Sequence, residues 1–206
     1  GRWTAIEAQH LGSPIPVIEA AVTARNLSAH LEARKKGEVI YGPAPRVLPS
    51  GTISVEHLES ALVAGKILCY AQGFALMSSA NSAFGWHLPL SDIAKVWREG
   101  CIIRSSMLND MANALAELPS KNLIFAPFFI DILKSTNDEL RDVVTKGMQN
   151  GLAVPALASA LSYFDSMRTC RSTANMIQAQ RDFFGAHSFE RFDKPGMHHG
   201  PWSVST

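Results

Sequence analysis

The chain has 206 residues, of which 47% are hydrophobic and 18% charged, and its formal net charge is +1. This length suits one good-sized domain or two small ones, with enough apolar residues for a buried core. Because Lys and Arg are few and dispersed, nothing supports a nucleic-acid-binding surface. The cysteines Cys69, Cys101 and Cys170 lack paired spacing, which indicates free thiols. A cytoplasmic protein without a signal peptide is therefore expected.

The first part of the chain has the apolar spacing of a helix. Val17, Ala20, Ala24, Leu27 and Leu31 recur at steps of three and four and predict one helix face. Prolines precede it, where a missing N–H is tolerated. The proline- and glycine-rich segment 38–52 predicts a surface excursion before the next helix.

Residues 67–91 contain no Asp, Glu, Lys or Arg. A transmembrane span is one interpretation of this segment. Polar and small residues interrupt the apolar run, however, among them Gln72, Asn81 and Gly85. We expect a helix buried on most faces, followed by a turn near Gly85 and Pro89, and no contact with a membrane.

Three further helices are predicted, over 92–117 with a stop at Pro119, over 137–151 and over 155–165. No segment alternates apolar and polar residues long enough to indicate a strand, so the fold class is all-α. Charge-poor helices around 67–77 and 152–164 indicate a subunit or domain interface. From Phe192 onward the composition predicts an extended tail, so we expect a helical domain over 1–191 and a tail over 192–206.

Three cationic or ionisable side chains are candidates for binding an oxyanion. Arg25 lies mid-helix among small and apolar residues, and a guanidinium there is costly if it is buried without an anion. Its alternative is a snorkelling side chain or an ordinary carboxylate pair. Arg181 and His187 lie among aromatic residues near the C-terminus, and together they suit a phosphate monoester.

These two residues also have structural alternatives. Arg181 could form a local salt bridge with Asp182, and His187 could pack against the neighbouring phenylalanines. His198 and His199 do not predict a metal site, because adjacent residues on extended chain diverge and no Cys or carboxylate cluster accompanies them. No Gly-x-Gly-x-x-Gly follows a predicted strand, so the sequence offers no dinucleotide-binding fold.

Several long motifs, in order along nearly the whole chain, resemble the C-terminal half of decarboxylating 6-phosphogluconate dehydrogenases. The matching segments are Gly1–Thr4, Ala24–Ser28, Lys66–Phe74, Ile93–Ser105 (with Glu99 in place of a glycine) and Ile177–His187. The last segment, Ile-Gln-Ala-Gln-Arg-Asp-Phe-Phe-Gly-Ala-His, resembles the family's C-terminal signature almost letter for letter.

The resemblance implies an enzyme that oxidises 6-phosphogluconate at C3 with NADP, releases carbon dioxide and forms ribulose 5-phosphate, without a metal. It implies that Arg25, Arg181 and His187 bind the substrate, the two arginines on its phosphate. It also implies a homodimer whose C-terminal tail threads into the partner, with Arg181 and His187 reaching the neighbouring subunit's substrate. In the family, the NADP-binding Rossmann domain and the catalytic Lys and Glu lie upstream of the matched segment. We therefore expect this chain alone to be inactive and to require its own N-terminal domain.

Two alternatives remain open. The chain could be a free-standing helical dimerisation or binding module without catalysis. It could also belong to a related β-hydroxyacid dehydrogenase with another phosphorylated substrate. The retention of Arg25, Arg181 and His187 argues against the first alternative, because a purely structural module needs no phosphate-binding residues, but it does not exclude the second.

Overall fold

The computed structural model describes residues 1–117 and 122–202, and the chain divides into two compact units, 1–164 and 165–206. The helices that begin in the first unit are α1 (Arg2–His10), α2 (Pro16–Ser28), α3 (Leu31–Tyr41), α4 (Val55–Phe84), α5 (Leu90–Gly100), α6 (Met107–Glu117), α7 (Pro127–Gln149) and α8 (Pro155–Met167), with a 3₁₀ turn at Leu123–Phe125. The second unit contains α9 (Ala174–Gly185) and a small hairpin in which β1 (Phe189–Glu190) pairs antiparallel with β2 (Met197–His198). The all-α fold class is confirmed.

The long helix α4 forms the centre of the first unit, and α7 makes the most extensive packing against it. Small and large apolar side chains alternate on the buried surface of α4, so a neighbouring helix can approach closely. The buried residues of α4 include Ala61, Ala64, Ile67, Leu68, Ala71 and Phe74, and those of α7 include Phe129, Leu133, Leu140, Val143 and Val144.

By length and composition alone, α4 could cross a membrane. However, 56% of its most apolar window is buried inside the protein, so core packing accounts for the apolar composition. The expected buried helix is confirmed, since α4 ends at Phe84 and Gly85 follows it in a left-handed conformation.

The prediction of a single helix over 92–117 is wrong. The segment forms α5 and α6, and Cys101 between them has extended backbone angles. Gly100 is a poor helix former, and the break allows α5 and α6 to pack against each other. The Tyr70 hydroxyl of α4 donates a hydrogen bond to the Ile103 carbonyl in the connecting loop. The predicted stop at Pro119 lies outside the described residues.

Other helix boundaries also differ from expectation. The face predicted from Val17 to Leu31 is interrupted because α2 ends at Ser28, whose hydroxyl bonds the carbonyl of Arg25 at 2.6 Å. A serine that bonds the backbone in this way competes with continuation of the helix. Since α3 continues to Tyr41, the loop begins at residue 42 rather than at 38. The helix predicted from residue 137 begins earlier, at Pro127.

Two adjacent phenylalanines at the start of α7 provide a matched test of this core. Phe129 is fully buried, whereas Phe128 is 50% exposed. We expect Phe129→Ala to lower the free energy of unfolding by about 3–5 kcal/mol, because it leaves a cavity in the core. Phe128→Ala should cost roughly 1 kcal/mol, mainly from the lost ring–ring contact. Urea titration followed by circular dichroism measures both values, and equal losses would contradict the assigned core.

Candidate functional site

Helix α2 carries Arg25, and a buried side chain of α4 fixes where this helix begins. No side chain of its own N-terminal segment caps α2. Instead, the Gln72 Oε1 atom accepts a hydrogen bond from the Val17 amide at 3.0 Å, and Gln72 is fully buried. An unsatisfied amide at a helix start is thereby paired. Gln72 therefore anchors α2, and with it the position of Arg25, to the core.

The side chain of Arg25 is exposed. Its Nη2 atom donates to the Asn26 Oδ1 atom at 3.0 Å, and it forms no ion pair with any carboxylate in the described ranges 1–117 and 122–202. The carboxylate-paired alternative for Arg25 is therefore not seen in that part of the chain. An exposed guanidinium in this state can bind a phosphate through two parallel hydrogen bonds.

In the second unit, Arg181 does not form the local salt bridge with Asp182 that was its structural alternative. Its Nη1 atom donates to the Gln178 Oε1 atom at 3.0 Å. The carboxylate of the adjacent Asp182 lies on another side of α9 and faces the C-terminal segment instead. The alternative of a local salt bridge between Arg181 and Asp182 is not seen among the described contacts, so the charge of Arg181 is available to an anion.

Asp182 is the centre of a hydrogen-bond network that the sequence did not reveal. It is only 2% exposed. One carboxylate oxygen accepts from the Ser188 amide at 2.7 Å and lies 2.6 Å from the His199 Nδ1 atom. The other accepts from the Gly200 amide at 2.8 Å and from the Trp202 indole at 2.6 Å. A single carboxylate thus holds both the loop after α9 and the end of the described chain.

This network determines the ionisation of Asp182. Burial by itself would raise the pKa of the carboxyl group. The hydrogen bonds from Gly200, His199, Trp202 and Ser188 outweigh burial and hold its pKa well below the usual range. Asp182 is therefore a carboxylate at neutral pH.

The close approach of Trp202 to Asp182 depends on Gly200. A Cβ atom at position 200 would overlap the Trp202 ring, well inside van der Waals contact. The same indole packs edge-on against Phe183, with ring centroids 5.7 Å apart. The end of the described chain is therefore fixed to α9 by packing as well as by hydrogen bonds.

His187 lies in the loop that the network holds. Ala186 and Ser188, on either side of it, have φ values of 53° and 58°. Its exposed imidazole lies over Gly185, where an added Cβ would meet the ring at 2.9 Å. A packing role among the phenylalanines does not match this exposure. Arg181 and His187 are thus presented by the same short segment, while Arg25 belongs to the other unit.

The two tail histidines have local partners. The His199 ring bonds Asp182, and the His198 Nε2 atom lies 3.0 Å from the Pro195 carbonyl oxygen. Among the described residues, no cluster of His, Cys, Asp or Glu could hold a metal ion.

An apolar cleft of about 370 Å³ lies at the turn between α7 and α8 and is lined by residues such as Leu152, Val154 and Pro155. Because a phosphate requires charged or N–H donors, this lining suits it poorly. The cleft is therefore not a candidate for the oxyanion site.

The sequence singled out Arg25, Arg181 and His187 but missed the residues that place them. Gln72, Gln178 and Asp182 are ordinary polar residues within helices. Their partners lie up to 55 residues away along the chain, as in the Gln72–Val17 pair. No local periodicity predicts such contacts.

Comparison with known proteins shows similarity over almost the whole chain. Residues 1–202 match the family model described as 6-phosphogluconate dehydrogenase, C-terminal domain. The chain is 44% identical over 207 residues to the NAD(+)-dependent, decarboxylating 6-phosphogluconate dehydrogenase of Bacillus subtilis (strain 168), covering 98% of this chain and 44% of that protein. It is 42% identical over 204 residues to the decarboxylating 6-phosphogluconate dehydrogenase of Lactococcus lactis subsp. lactis (strain IL1403), covering 98% of this chain and 43% of that protein.

The fold is similar to that of a solved structure. Plasmodium falciparum 6-phosphogluconate dehydrogenase, described in its apo form and in complex with its cofactor NADP+ and with its substrate 6-phosphogluconate, superposes with a TM-score of 0.88. Its sequence is 33% identical, and the match covers 98% of this chain and 44% of that one. The chain thus spans a little under half the length of the relatives it matches.

The depressed pKa of Asp182 predicts how acid acts on the C-terminal segment. Because the folded-state pKa lies below that of the unfolded chain, the stabilisation is present above the unfolded value, about 3.9. It is lost as the pH falls toward the folded-state pKa. In NMR spectra, the folded-state Trp202 indole N–H signal should therefore weaken below about pH 4.

The substitution Asp182→Asn tests this assignment. It should weaken the Trp202 indole N–H signal already at neutral pH and make this signal less sensitive to acid. The remaining acid dependence should come from Asp193, whose pKa is also lowered by Arg191. The exposed Asp131→Asn serves as the charge-matched control and should behave as the wild type. An unchanged acid profile in Asp182→Asn would contradict the assignment.

Proposed function

The chain belongs to the 6-phosphogluconate dehydrogenase C-terminal domain family, and we propose that it is the substrate-clamping and dimerising part of such an enzyme. The complete enzyme, meaning this chain joined to its own upstream domain, oxidatively decarboxylates 6-phosphogluconate to ribulose 5-phosphate in the pentose phosphate pathway. The names of the relatives support this activity. Because the chain covers 43–44% of those relatives, the catalytic Lys and Glu implied by the resemblance belong to the upstream part.

The observation that carries the proposal is the arrangement of Arg181 and His187. Both are exposed, both are presented by the segment that Asp182 holds, and neither is paired with that carboxylate. Arg181 can bind the phosphate through two parallel hydrogen bonds, and His187 can donate one more. Arg25, anchored through α2, supplies a second guanidinium. Holding the unreactive phosphate keeps the reacting carbons in register, which can contribute substantially to the rate.

The cofactor of the complete enzyme is NADP in this proposal. The Plasmodium relative supports NADP, whereas the Bacillus relative is named as NAD(+)-dependent. In the described part of this chain, the only sheet is a two-stranded hairpin, which does not fit a dinucleotide that needs a parallel βαβ unit. We therefore assign cofactor binding to the upstream Rossmann domain and no cofactor contact to Arg25, Arg181 or His187.

The partner is a second copy of the same chain. Exposed apolar side chains on α3 in the first unit and, separately, on α9 in the second unit support this, because exposed apolar side chains in such numbers are normally covered by another protein surface. They include Ile40, Tyr41, Met176, Ile177, Phe183 and Phe184. The resemblance further supports a shared site, with Arg25 from one subunit and Arg181 and His187 from its partner.

We also propose a cytoplasmic location, which the three free thiols support. A related β-hydroxyacid dehydrogenase with another phosphorylated substrate is the remaining alternative. Such an enzyme would bind its substrate phosphate through the same residues, so a measurement of substrate specificity distinguishes the two enzymes.

Replacing Arg181 tests its proposed role in binding the substrate phosphate. In the complete enzyme, Arg181→Ala should remove a charge-assisted contact worth roughly 1.5–3 kcal/mol. The KM for 6-phosphogluconate should rise about tenfold or more, while the KM for NADP stays near the wild-type value. Steady-state assays of NADPH formation provide both values.

A matched control comes from the same segment. Arg191 pairs with Asp193 through two hydrogen bonds of 2.8 and 2.6 Å. Arg191→Ala therefore removes a positive charge but leaves the proposed phosphate-binding residues in place. It should leave the substrate KM nearly unchanged. If Arg181→Ala affected only the KM for NADP, the phosphate-binding role would be wrong.

Subunit complementation tests the shared site. At a 6-phosphogluconate concentration well below their raised KM values, the Arg25→Ala and Arg181→Ala homodimers should both have low activity. When they exchange subunits, one site of each heterodimer collects both defects and the other has neither, so activity should return. If both residues served a site within one chain, every site would keep one defect. Verified heterodimers that stay inactive would refute the shared arrangement.

A further inference from the structure

The backbone of Ser188 is held on both sides by side chains of α9. The Gln178 Nε2 atom donates to the Ser188 carbonyl oxygen at 2.6 Å. The Asp182 carboxylate accepts from the Ser188 amide at 2.7 Å. Residues four apart lie on the same face of a helix, so Gln178 and Asp182 can both reach Ser188. Asp182 holds the peptide unit before Ser188 and Gln178 holds the one after it, and we call this pair of contacts the clamp on Ser188.

The residue they hold has an unfavourable backbone conformation. Ser188 has a φ of 58° and Ala186 a φ of 53°, and neither is glycine. Such conformations persist only when the surrounding contacts impose them. The clamp on Ser188 and the hydrogen bond from the Ala186 amide to the Asp182 carbonyl, at 2.9 Å, are those contacts. Because His187 lies between the two residues, they also set the direction in which its side chain leaves the backbone.

Gln178 also contacts Arg181. Its Oε1 atom accepts from the Arg181 guanidinium at 3.0 Å while its Nε2 atom donates to Ser188. Both ends of one side-chain amide are therefore used, which fixes its orientation. This amide links the two candidate substrate-binding residues, since it contacts the guanidinium of Arg181 and the carbonyl oxygen of Ser188, the residue that follows His187.

We propose that Gln178 and Asp182 are positioning residues that set the separation of the Arg181 guanidinium and the His187 imidazole before the phosphorylated substrate binds. This inference rests on the proposed function, because it assigns to Arg181 and His187 a common ligand. Neither Gln178 nor Asp182 touches that ligand. Asp182 fixes the loop, and Gln178 couples the loop to the guanidinium.

The central experiment is a double-mutant cycle in the complete enzyme. Gln178→Ala should raise the KM for 6-phosphogluconate about threefold to tenfold, the effect of one hydrogen bond, with the KM for NADP unchanged. The exposed Gln180→Ala on the same helix is the control and should have the wild-type KM. In a His187→Ala background, the effect of Gln178→Ala should shrink by at least half, because positioning a missing imidazole has no value. An equal effect in both backgrounds would overturn the proposal.

A second measurement does not depend on the substrate. Hydrogen–deuterium exchange of the peptide covering Phe183–Glu190 should be at least about tenfold faster in Asp182→Asn. The side-chain NH₂ group of the asparagine cannot accept a hydrogen bond, so part of the network that holds the loop would be lost. Asp193→Asn, in the same segment, is the control and should exchange as the wild type. Unchanged exchange in Asp182→Asn would overturn the clamp on Ser188 whatever the ligand is.

The two proposals fail in different ways. If Arg181→Ala leaves the KM for 6-phosphogluconate unchanged, the proposed function is wrong, while the exchange data still judge the clamp. If Arg181→Ala raises this KM and Gln178→Ala does not, the proposed function stands and the positioning role is refuted.

Discussion

The packing of the first unit is determined by the apolar surface of α4, which must be shielded from water. This helix has 30 residues and is therefore about 45 Å long, and the segment from Ile67 to Phe84 has no charged side chain. A helix that is apolar on most faces must be surrounded by other helices or by lipid. Here α7 packs along it, and α2 and α5 contact it as well. The position of Arg25 follows from this packing, because Gln72 joins α2 to the buried surface of α4.

The second unit is organised differently, because it has few buried apolar side chains and relies on one carboxylate. Burying Asp182 without partners would be costly, so four donors must converge on it. Those donors come from positions 188, 199, 200 and 202. A segment with little core of its own is thereby ordered by charge-assisted hydrogen bonds, which are stronger than neutral ones.

Much of the fold follows from the sequence because helix formation is local. The apolar spacing and the prolines predict helices that the structure contains, including the buried helix that ends before Gly85. The break at Cys101 could not be read in this way, because α5 and α6 separate in order to pack against each other. The candidate residues Arg25, Arg181 and His187 were identifiable from charge and resemblance. Gln178 and Asp182 were not, since their roles arise from loop residues six to twenty positions away that only the folded chain brings near.

The clamp on Ser188 also explains why an unfavourable backbone occurs beside a candidate binding residue. Two left-handed non-glycine residues cost of order 1–3 kcal/mol each. The converging hydrogen bonds to the charged Asp182 carboxylate offset this cost, because charge-assisted hydrogen bonds are stronger than neutral ones. Since these bonds form within α9 and its following segment, the loop is ordered before any ligand arrives. A ligand that meets an ordered loop does not have to supply the entropy of ordering it. The strained loop is therefore consistent with a preformed phosphate site, and a loop ordered only by its ligand would not need a buried carboxylate beneath it.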